Sequence, residues 1–239
     1  MAGQEESHRK ISGGFLVVLT QAAAGMRERF DDWYARHAQN VIKTPGLGRA
    51  RRYALETGME LRAGEFGLDR LALYELTGHA EQVAVSLKQR QQSGDIRFDQ
   101  SLDLSTATGF FVRPLTGAAP EVFSESPASV VLLQFTPRDT LHRDDGTFAD
   151  HLSSLLAVGG IGSNGVYRLT GGKLRAEIPD SYYAILVLDH ARAFDSAGLD
   201  AALSKIWKEA DVSIHGGAFR PIGDIAHPQI AALQRTNPE

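Results

Sequence analysis

The stretch YARHAQNVIKTPGLGRARRYAL (residues 34–55) reappears in altered form as FADHLSSLLAVGGIGSNGVYRL (residues 148–169). The two stretches align without a gap, and aromatic, histidine and glycine positions coincide at a constant spacing. The coinciding pairs are Tyr34 with Phe148, Ala35 with Ala149, His37 with His151, Gly46 with Gly160, Gly48 with Gly162, Tyr53 with Tyr167 and Leu55 with Leu169. Self-similarity of this kind is the signature of a repeated structural unit, so we expect the chain to contain one unit twice.

Two further blocks recur in the same order on the C-terminal side of this stretch. Gly58 with residues 61–63 matches Gly171 with residues 174–176, and residues 112–115 (VRPL) match residues 219–222 (FRPI). Between the halves lies TGAAPEVFSESPA, whose Pro, Ser and Ala content is typical of a linker. We therefore predict an N-terminal tail at 1–13, a first repeat at 14–115, a linker at 116–128, a second repeat at 129–223 and a C-terminal tail at 224–239.

Each half has the pattern of a β-α-β-β-α-β unit. A helix in the first half is stopped by Thr44-Pro45-Gly46, because proline and glycine both end helices. In the first half, strands are predicted at 15–20, 49–55, 71–76 and 106–114, and helices at 26–43 and 80–91. In the second half, strands are predicted at 130–135, 165–169, 182–188 and 212–220, and helices at 148–158 and 197–209.

Strand polarity indicates how the strands of each half are ordered. The first and third strands are nearly continuous apolar runs (FLVVL and LALYEL; VVLLQF and YYAILVL), which is typical of burial on both faces. The second and fourth strands carry Gly or Arg, which suits the edges of a sheet. This order is that of a ferredoxin-like unit. We predict an α+β fold in which two tandem ferredoxin-like repeats pack sheet to sheet with the helices outside.

The segment FDDWYARHAQNVIKTPGLGRARRY resembles the dimeric α+β barrel superfamily, in particular its EthD-like branch. The resemblance rests on the helix Trp33-Tyr34-Ala35-Arg36-His37, which leads through a Pro-Gly stop into a strand with Arg and Tyr. Single-repeat members of the superfamily pair two chains to complete the barrel, so the resemblance implies a fused, tandem-duplicated member. The superfamily includes monooxygenases, isomerases, dehydratases, cyclases, decarboxylases and haem enzymes, so the fold limits the chemistry only weakly.

The first helix brings candidate catalytic chemistry onto one face. Phe30, Trp33, Tyr34, His37 and Val41 follow helical spacing. The simplest interpretation is that this face packs on the sheet with His37 as a core histidine. The functional interpretation makes His37 a general acid or base in an aromatic-lined pocket, since histidine is the side chain whose ordinary pKa lies near neutral pH.

The second strand supplies the candidate anion-binding groups. Arg51 and Tyr53 alternate onto one face of this strand and Arg52 onto the other. Arginines of an edge strand usually lie in solvent, but an inward guanidinium is shaped to hold a carboxylate bidentately. The second half has Thr147, Gly165 and Val166 where the first has Trp33, Arg51 and Arg52, so we expect one working site, in the first half.

Composition excludes several classes of function. Apolar residues make up 43% of the chain and charged residues 23%, which are ordinary globular values. A net charge of -4 gives no reason to expect nucleic acid or an anionic membrane as partner. The absence of cysteine excludes disulfides and Cys-based metal sites. The N-terminus lacks the apolar core of a signal peptide, and no apolar run approaches the roughly 20 residues that span a bilayer, so a cytoplasmic location is expected.

Together, these observations predict a cofactor-independent lyase (decarboxylase or dehydratase) acting on an aromatic or polyketide-like carboxylic acid. His37 would transfer the proton and Arg51 or Arg52 would hold the carboxylate. The expected pocket residues are Trp33, Tyr34, Tyr53, Tyr74 and Phe111. The alternatives are a cofactorless monooxygenase or isomerase of aromatic catabolism, and a non-catalytic small-molecule-binding stress-response protein. No metal or cofactor site is predicted, while haem binding and a homodimer remain open.

Overall fold

The computed structural model describes residues 14–56, 64–65, 68–115, 120–126, 128–138, 145–157, 159–170, 180–189, 194–210 and 212–225. The predicted tail at 1–13 and the repeated block at 58 and 61–63, with its counterpart at 171 and 174–176, lie outside the described residues.

The elements follow the predicted order, with one short addition. The first half contains β1 (Phe15–Thr20), α1 (Arg27–Val41), β2 (Leu47–Leu55), β3 (Gly64–Glu65), β4 (Arg70–Leu76), α2 (Ala80–Gln92) and β5 (Thr108–Pro114). The second half contains β6 (Val130–Pro137), α3 (Asp145–Leu155), β7 (Ile161–Leu169), β8 (Tyr182–Leu188), α4 (Ser196–Ala210) and β9 (Val212–Ile225). The two-residue strand β3 was not predicted, and β9 continues to Ile225, into the segment predicted as a C-terminal tail.

The strands form one closed barrel rather than two separate sheets. The order is β2-β4-β1-β5-β7-β8-β6-β9, and β2 pairs again with β9 to close the ring. All neighbouring pairs of this ring are antiparallel, and β3 adds to β9 in parallel. The apolar strands β1, β4, β6 and β8 are central in their halves, as predicted. The strands expected at edges instead join across the halves, because β5 pairs with β7 over three residues and β2 pairs with β9, which closes the ring.

Side-chain alternation along the strands separates a barrel interior from an outer layer. In β1, Phe15, Val17 and Leu19 face the interior, whereas Leu16 and Val18 pack under the helices. The interior is filled by residues of both halves, including Phe110, Tyr167, Tyr183 and Phe219. Helices α1 and α2 cover the outer face of the first half, and α3 and α4 cover that of the second. The fold is therefore an α+β barrel with helices outside, which confirms the predicted fold class at this level.

The segment predicted as a linker contributes to the core. Within its described residues, Val122 and Ala128 are buried in the barrel interior, and Phe123 packs against the ring of Phe15 at 6.1 Å. The main-chain oxygens of Val122 and Ser124 accept hydrogen bonds from Arg51. This segment thus closes one end of the barrel as well as joining the halves.

The stop at the end of α1 depends on one glycine. Gly46 has a positive φ of 87°, and a Cβ built there would lie 2.7 Å from Val83 of α2. Both the backbone angle and the close approach of α2 favour glycine at this position. The chain continues directly after this turn as β2, which lies beneath α1.

Among the described residues, no helix has the length and apolar character needed to cross a membrane.

Candidate functional site

A small cavity lies between α1, α2 and the outer face of the first-half strands. Its volume is about 90 Å³. It is lined by Leu16, Val18, Thr20, Tyr34, His37, Val41, Tyr74, Leu87, Gln91, Ile96, Phe98, Leu102, Ala107, Thr108 and Gly109. Gln91 and Phe98 are exposed and mark the side that meets solvent. We call this space the His37 cavity. Its lining contains no Lys, Arg, Asp or Glu.

His37 is held in one orientation and one protonation state. It is 9% exposed, and its Nδ1 lies 3.2 Å from the carbonyl oxygen of Arg97, in the connection between α2 and β5. A carbonyl oxygen can only accept, so Nδ1 carries the proton and Nε2 keeps its lone pair. Burial lowers the pKa of His37 to about 4, only partly offset by the bond to Arg97. The ring is therefore neutral at pH 7, and Nε2 is a potential base.

Aromatic rings surround His37. The ring centroid of Trp33 lies 4.5 Å from that of His37, and those of Tyr34 and Phe98 lie at 5.8 and 5.7 Å. Phe30 stacks on Tyr34 at 5.2 Å and extends the aromatic row along α1. Such contacts restrict rotation of the imidazole and help to exclude water from it.

Hydroxyl groups lie among the buried walls of the cavity. The side-chain oxygens of Thr20 and Tyr34 are buried and have no hydrogen-bond partner among the described residues. Burial raises the pKa of Tyr34 to about 12, and it raises that of Tyr74 well above its usual value. Thr20 and Tyr74 lie near enough to Tyr34 to lower its pKa in part, yet neither makes a well-formed hydrogen bond with it in this geometry. These hydroxyls stay protonated and available as donors.

Arg51 and Tyr53 lie on the other face of the sheet, away from His37. Tyr53 belongs to the barrel interior, and Arg51, 3% exposed, shares its face of β2. The guanidinium of Arg51 donates to both carboxylate oxygens of Asp224 in β9 and to the main-chain oxygens of Val122 and Ser124. Its donors are thus engaged within the protein, and the structure does not bring this arginine to the His37 cavity.

Arg52 lies in the same layer as His37 but does not line the cavity. Its guanidinium carbon is 5.9 Å from the ring centroid of Tyr34, and Nη1 donates to the main-chain oxygen of Asp31 at 3.4 Å. Phe111 and Trp33 also pack in this outer layer. Of the predicted site residues, the structure therefore places His37, Tyr34 and Tyr74 on the cavity wall, with Trp33, Arg52 and Phe111 around it.

Several cavity residues were missed by sequence reasoning. Ile96, Phe98 and Leu102 come from the irregular connection between α2 and β5, and Thr20 ends β1. The available signal was the number of large apolar side chains in a segment with no helix or strand pattern. Such residues need burial, and here they find it over the helix face that carries His37.

The second half lacks a comparable arrangement among its described residues. His151 is exposed over 45% of its side chain and lies 3.4 Å from Glu209 of α4. Gly165, which aligns with Arg51, faces the interior, where an added Cβ would meet Pro120 at 2.8 Å and Tyr167 at 2.9 Å. In the second half, Pro120 and Tyr167 therefore occupy the space beside the position that aligns with Arg51.

The size and the side chains of the candidate site decide whether a haem or a metal ion fits there. Pockets for drug-sized ligands measure roughly 300–1,000 Å³, so a cavity of about 90 Å³ beside His37 is too small for a porphyrin. Within the described ranges, His, Asp and Glu side chains form no group of three that could hold a metal ion. His142 and Asp144, which precede α3, lie outside those ranges, and Asp145 pairs with Tyr182 and Arg113. The residues of this site do not fit haem.

Comparison with known proteins gives matches at the level of structure alone. No protein-family model matches the sequence, and no curated protein does. A solved structure described as an anthrone oxidase-like protein matches with a TM-score of 0.54 and 8% identity, covering 90% of this chain and 93% of that chain. A mutant chlorite dismutase from Candidatus Nitrospira defluvii matches with a TM-score of 0.50 and 11% identity, covering 88% and 92%. This chain therefore has the fold of the dimeric α+β barrel proteins, completed here within a single chain.

Proposed function

We propose that this protein is a cofactor-independent monooxygenase that acts on a small neutral aromatic molecule, with His37 as the base. The observation that carries the proposal is a neutral imidazole, anchored through Nδ1, in a cavity whose walls carry no formal charge. A general base must be unprotonated and within reach of the substrate proton, and a base whose pKa is lowered to about 4 is weak, so the developing anion must be stabilised as well. Apolar walls favour both an aromatic ring and dioxygen over a charged substrate.

The reaction needs no external electron donor. Nε2 of His37 removes a proton from an activated CH₂ or from a phenol, and the resulting carbanion forms a C–O bond to dioxygen. Loss of water from the peroxide leaves a carbonyl group on the product. One oxygen atom enters the product and the other leaves in water, so the electrons lost by carbon are those gained by dioxygen. The name of the anthrone oxidase-like neighbour is compatible with chemistry of this kind.

The cavity volume restricts the substrate. An apolar cavity of about 150 Å³ is known to bind benzene, so the His37 cavity, at about 90 Å³, admits one ring only if a side chain at its open end such as Phe98 moves aside. We expect one ring, or the edge of a larger ring system, to enter past the exposed side chain of Phe98. The remainder of a larger substrate would lie outside, near Gln91.

The lyase hypothesis keeps His37 as the proton-transfer group but loses its main support. A decarboxylase acting on an acid needs a cation against the carboxylate. The donors of Arg51 are engaged on the opposite face of the sheet, and Arg52, 5.9 Å from the Tyr34 ring, does not line the cavity. A dehydratase or an isomerase acting on a neutral substrate is compatible with the same cavity. A binding protein without turnover is the remaining alternative, and the experiment below separates these cases.

We further infer that the chain is a fused, duplicated member of the superfamily related to its EthD-like branch. In support, the order of strands is the same in both halves, with β1 and β4 corresponding to β6 and β8. The recurring sequence blocks point in the same direction. A homodimer and a cytoplasmic location are part of this proposal.

The test is oxygen uptake by the purified protein with a panel of phenols, naphthols and anthrones. We expect uptake equal to product formed, and one labelled oxygen atom per product molecule under ¹⁸O₂. His37→Asn should abolish this activity, whereas His151→Asn, the matched change at the aligned and exposed histidine, should leave it intact. Release of CO₂ or water without oxygen uptake would establish a lyase. Binding with no product from any member of the panel would contradict the proposal.

A further inference from the structure

Two hydroxyl groups at the His37 cavity are buried without partners. The Oγ1 of Thr20 and the phenolic oxygen of Tyr34 both lack a hydrogen-bond partner among the described residues, and both residues line the cavity. Thr20 is 2% exposed and Tyr34 is 3% exposed. Most buried polar atoms in proteins are hydrogen-bonded, so each exception calls for an explanation.

These hydroxyls come from two elements that converge on the same space. Thr20 is the last residue of β1, and Tyr34 projects from the middle of α1. Tyr74 of the neighbouring strand β4 lines the same cavity and lies close enough to affect the pKa of Tyr34. The cavity therefore has hydroxyl donors from three elements, in addition to the lone pair of His37.

The electrostatic setting favours an oxygen atom as their partner. The guanidinium of Arg52 lies 5.9 Å from the Tyr34 ring and lowers the pKa of both Tyr34 and Tyr74 in part, so this cation favours negative charge near their hydroxyls. A hydroxyl can donate to a carbonyl or phenolic oxygen while the ring of the same ligand contacts the apolar walls. A phenol and its keto tautomer both carry an oxygen suited to this place.

We propose that the hydroxyls of Thr20 and Tyr34 form a subsite for the oxygen atom of a phenol or its keto tautomer, whose ring fills the His37 cavity. The subsite orients the ring and stabilises the negative charge that develops on oxygen when a proton is removed. This inference rests on the proposed function for its choice of substrate class, but it concerns binding, which is measurable without turnover.

The experiment compares the binding of phenol and benzene to four forms of the full chain. These are the wild type, Tyr34→Phe, Thr20→Val and, as a matched control, Tyr167→Phe. The hydroxyl of Tyr167 is also buried without a partner among the described residues, but it lies in the barrel interior on the other side of the sheet. Affinity is measured by calorimetry or by ligand-detected NMR, and melting temperature is recorded for each form.

We expect the wild type to bind phenol more tightly than benzene. Tyr34→Phe and Thr20→Val should each weaken phenol binding about three- to tenfold, the range for one net hydrogen bond, and leave benzene binding unchanged. Tyr167→Phe should retain the wild-type preference for phenol. Because the deleted hydroxyls have no protein partner, the melting temperature should stay the same or rise.

Three results would overturn the subsite. The first is equal affinity of the wild type for phenol and benzene, or no binding of either. The second is unchanged phenol binding in both Tyr34→Phe and Thr20→Val. The third is a clear loss of stability in both variants, which would mean that these hydroxyls bond to one another or to Tyr74 in solution. Any of these results can occur while oxygen uptake is intact, and phenol can bind at the subsite when no oxygen is taken up. The experiments therefore test the subsite and the monooxygenase function independently.

Discussion

The Nδ1 atom of His37 lies 3.2 Å from the carbonyl oxygen of Arg97, and this contact joins α1 to the connection between α2 and β5. The residues are far apart in sequence, and the same connection supplies Ile96, Phe98 and Leu102 to the cavity wall. One hydrogen bond therefore sets the tautomer of the imidazole and helps to hold the segment that covers it. Under the proposed function, anchoring and proton transfer would use different nitrogens of the same ring, so substitution should separate them.

Replacing His37 by Asn should remove the base and keep the anchor. The asparagine amide can donate to the Arg97 oxygen from a position close to that of Nδ1, whereas His37→Ala provides no donor. We expect both variants to lose turnover by about 10²- to 10⁴-fold, the usual contribution of a positioned acid or base. Only His37→Ala should also lose melting temperature.

Turnover and melting temperature measured on both variants test this separation. If His37→Asn keeps normal turnover per folded molecule, His37 is a structural residue. Equal loss of stability in both variants would mean that the contact with Arg97 contributes little.

The stability of the protein should fall between pH 6.5 and pH 4 because of His37. Its pKa is about 4 in the folded protein, lowered by burial, against about 6.5 in an unfolded chain. In this window the unfolded state binds the proton and the folded state does not, so acidification favours unfolding. The contribution is complete above pH 6.5, decreases down to pH 4 and then levels off. One pKa unit corresponds to about 1.4 kcal/mol, so the change is on the order of 3 kcal/mol.

Denaturant unfolding at pH 7 and at pH 4.5 measures this effect. The difference between wild type and His37→Asn should shrink or change sign at the lower pH, because the variant lacks the titrating ring. Parallel pH profiles for the two proteins would show that His37 is not buried in the neutral form. Carboxylates with lowered pKa values, such as Asp99 and Asp103, act at still lower pH and do not mask the result.

Much of the fold could be predicted because its main signals are local. Continuous apolar runs identified β1, β4, β6 and β8 as doubly covered strands, and the Thr44-Pro45-Gly46 stop placed the end of α1 within a few residues. The closure of the barrel could not be inferred in the same way. It depends on β2 meeting β9 and β5 meeting β7, and these pairings join residues distant in sequence.

The candidate site was harder to predict because two of its features are non-local. Arg51 is buried only because Asp224 and the oxygens of Val122 and Ser124 receive its donors, and nothing in the sequence near Arg51 indicates those partners. The cavity walls from the connection after α2 follow no periodic pattern. Alternation along β2 correctly separated Arg51 from Arg52, but it could not show which face met α1.

Arg51 should behave as a structural residue of the barrel seam. Arg51→Met removes the donors that join β2 to Asp224 of β9 and to the segment at 120–126. Because the buried guanidinium and its charge-assisted hydrogen bonds are lost while Asp224 stays half exposed, we expect a destabilisation of about 2–3 kcal/mol. The His37 cavity lies across the sheet, so KM and turnover per folded molecule should not change.

Asp224→Asn is the matched control for this prediction. Asp224 is 49% exposed, so water can replace part of its interaction and the cost should be smaller than for Arg51→Met. Chemical unfolding and steady-state kinetics on both variants provide the measurement. A raised KM in Arg51→Met without loss of stability would instead indicate that Arg51 binds the substrate.

The ion pair of Arg29 and Asp99 should control how firmly the cavity is covered. Arg29 of α1 donates to both carboxylate oxygens of Asp99 at 3.0 and 2.9 Å, and Asp99 directly follows Phe98 in the connection after α2. The pKa of Asp99 is held well below its usual value, first by the hydrogen bond from Arg29.

Asp99→Asn weakens this bidentate contact, so we expect faster amide hydrogen exchange in residues 94–107 and faster association of ligands with the cavity. Since an exposed pair is screened by salt, high ionic strength should produce part of the same effect in the wild type. Asp103→Asn is the matched control, because the hydrogen bonds that Asp103 accepts within the described residues from side chains are local, from Ser105 and Thr106, and none comes from α1. Hydrogen exchange and stopped-flow binding on both variants give the answer. Equal exchange of residues 94–107 in the two variants would mean that the Arg29–Asp99 pair does not hold the cover of the cavity.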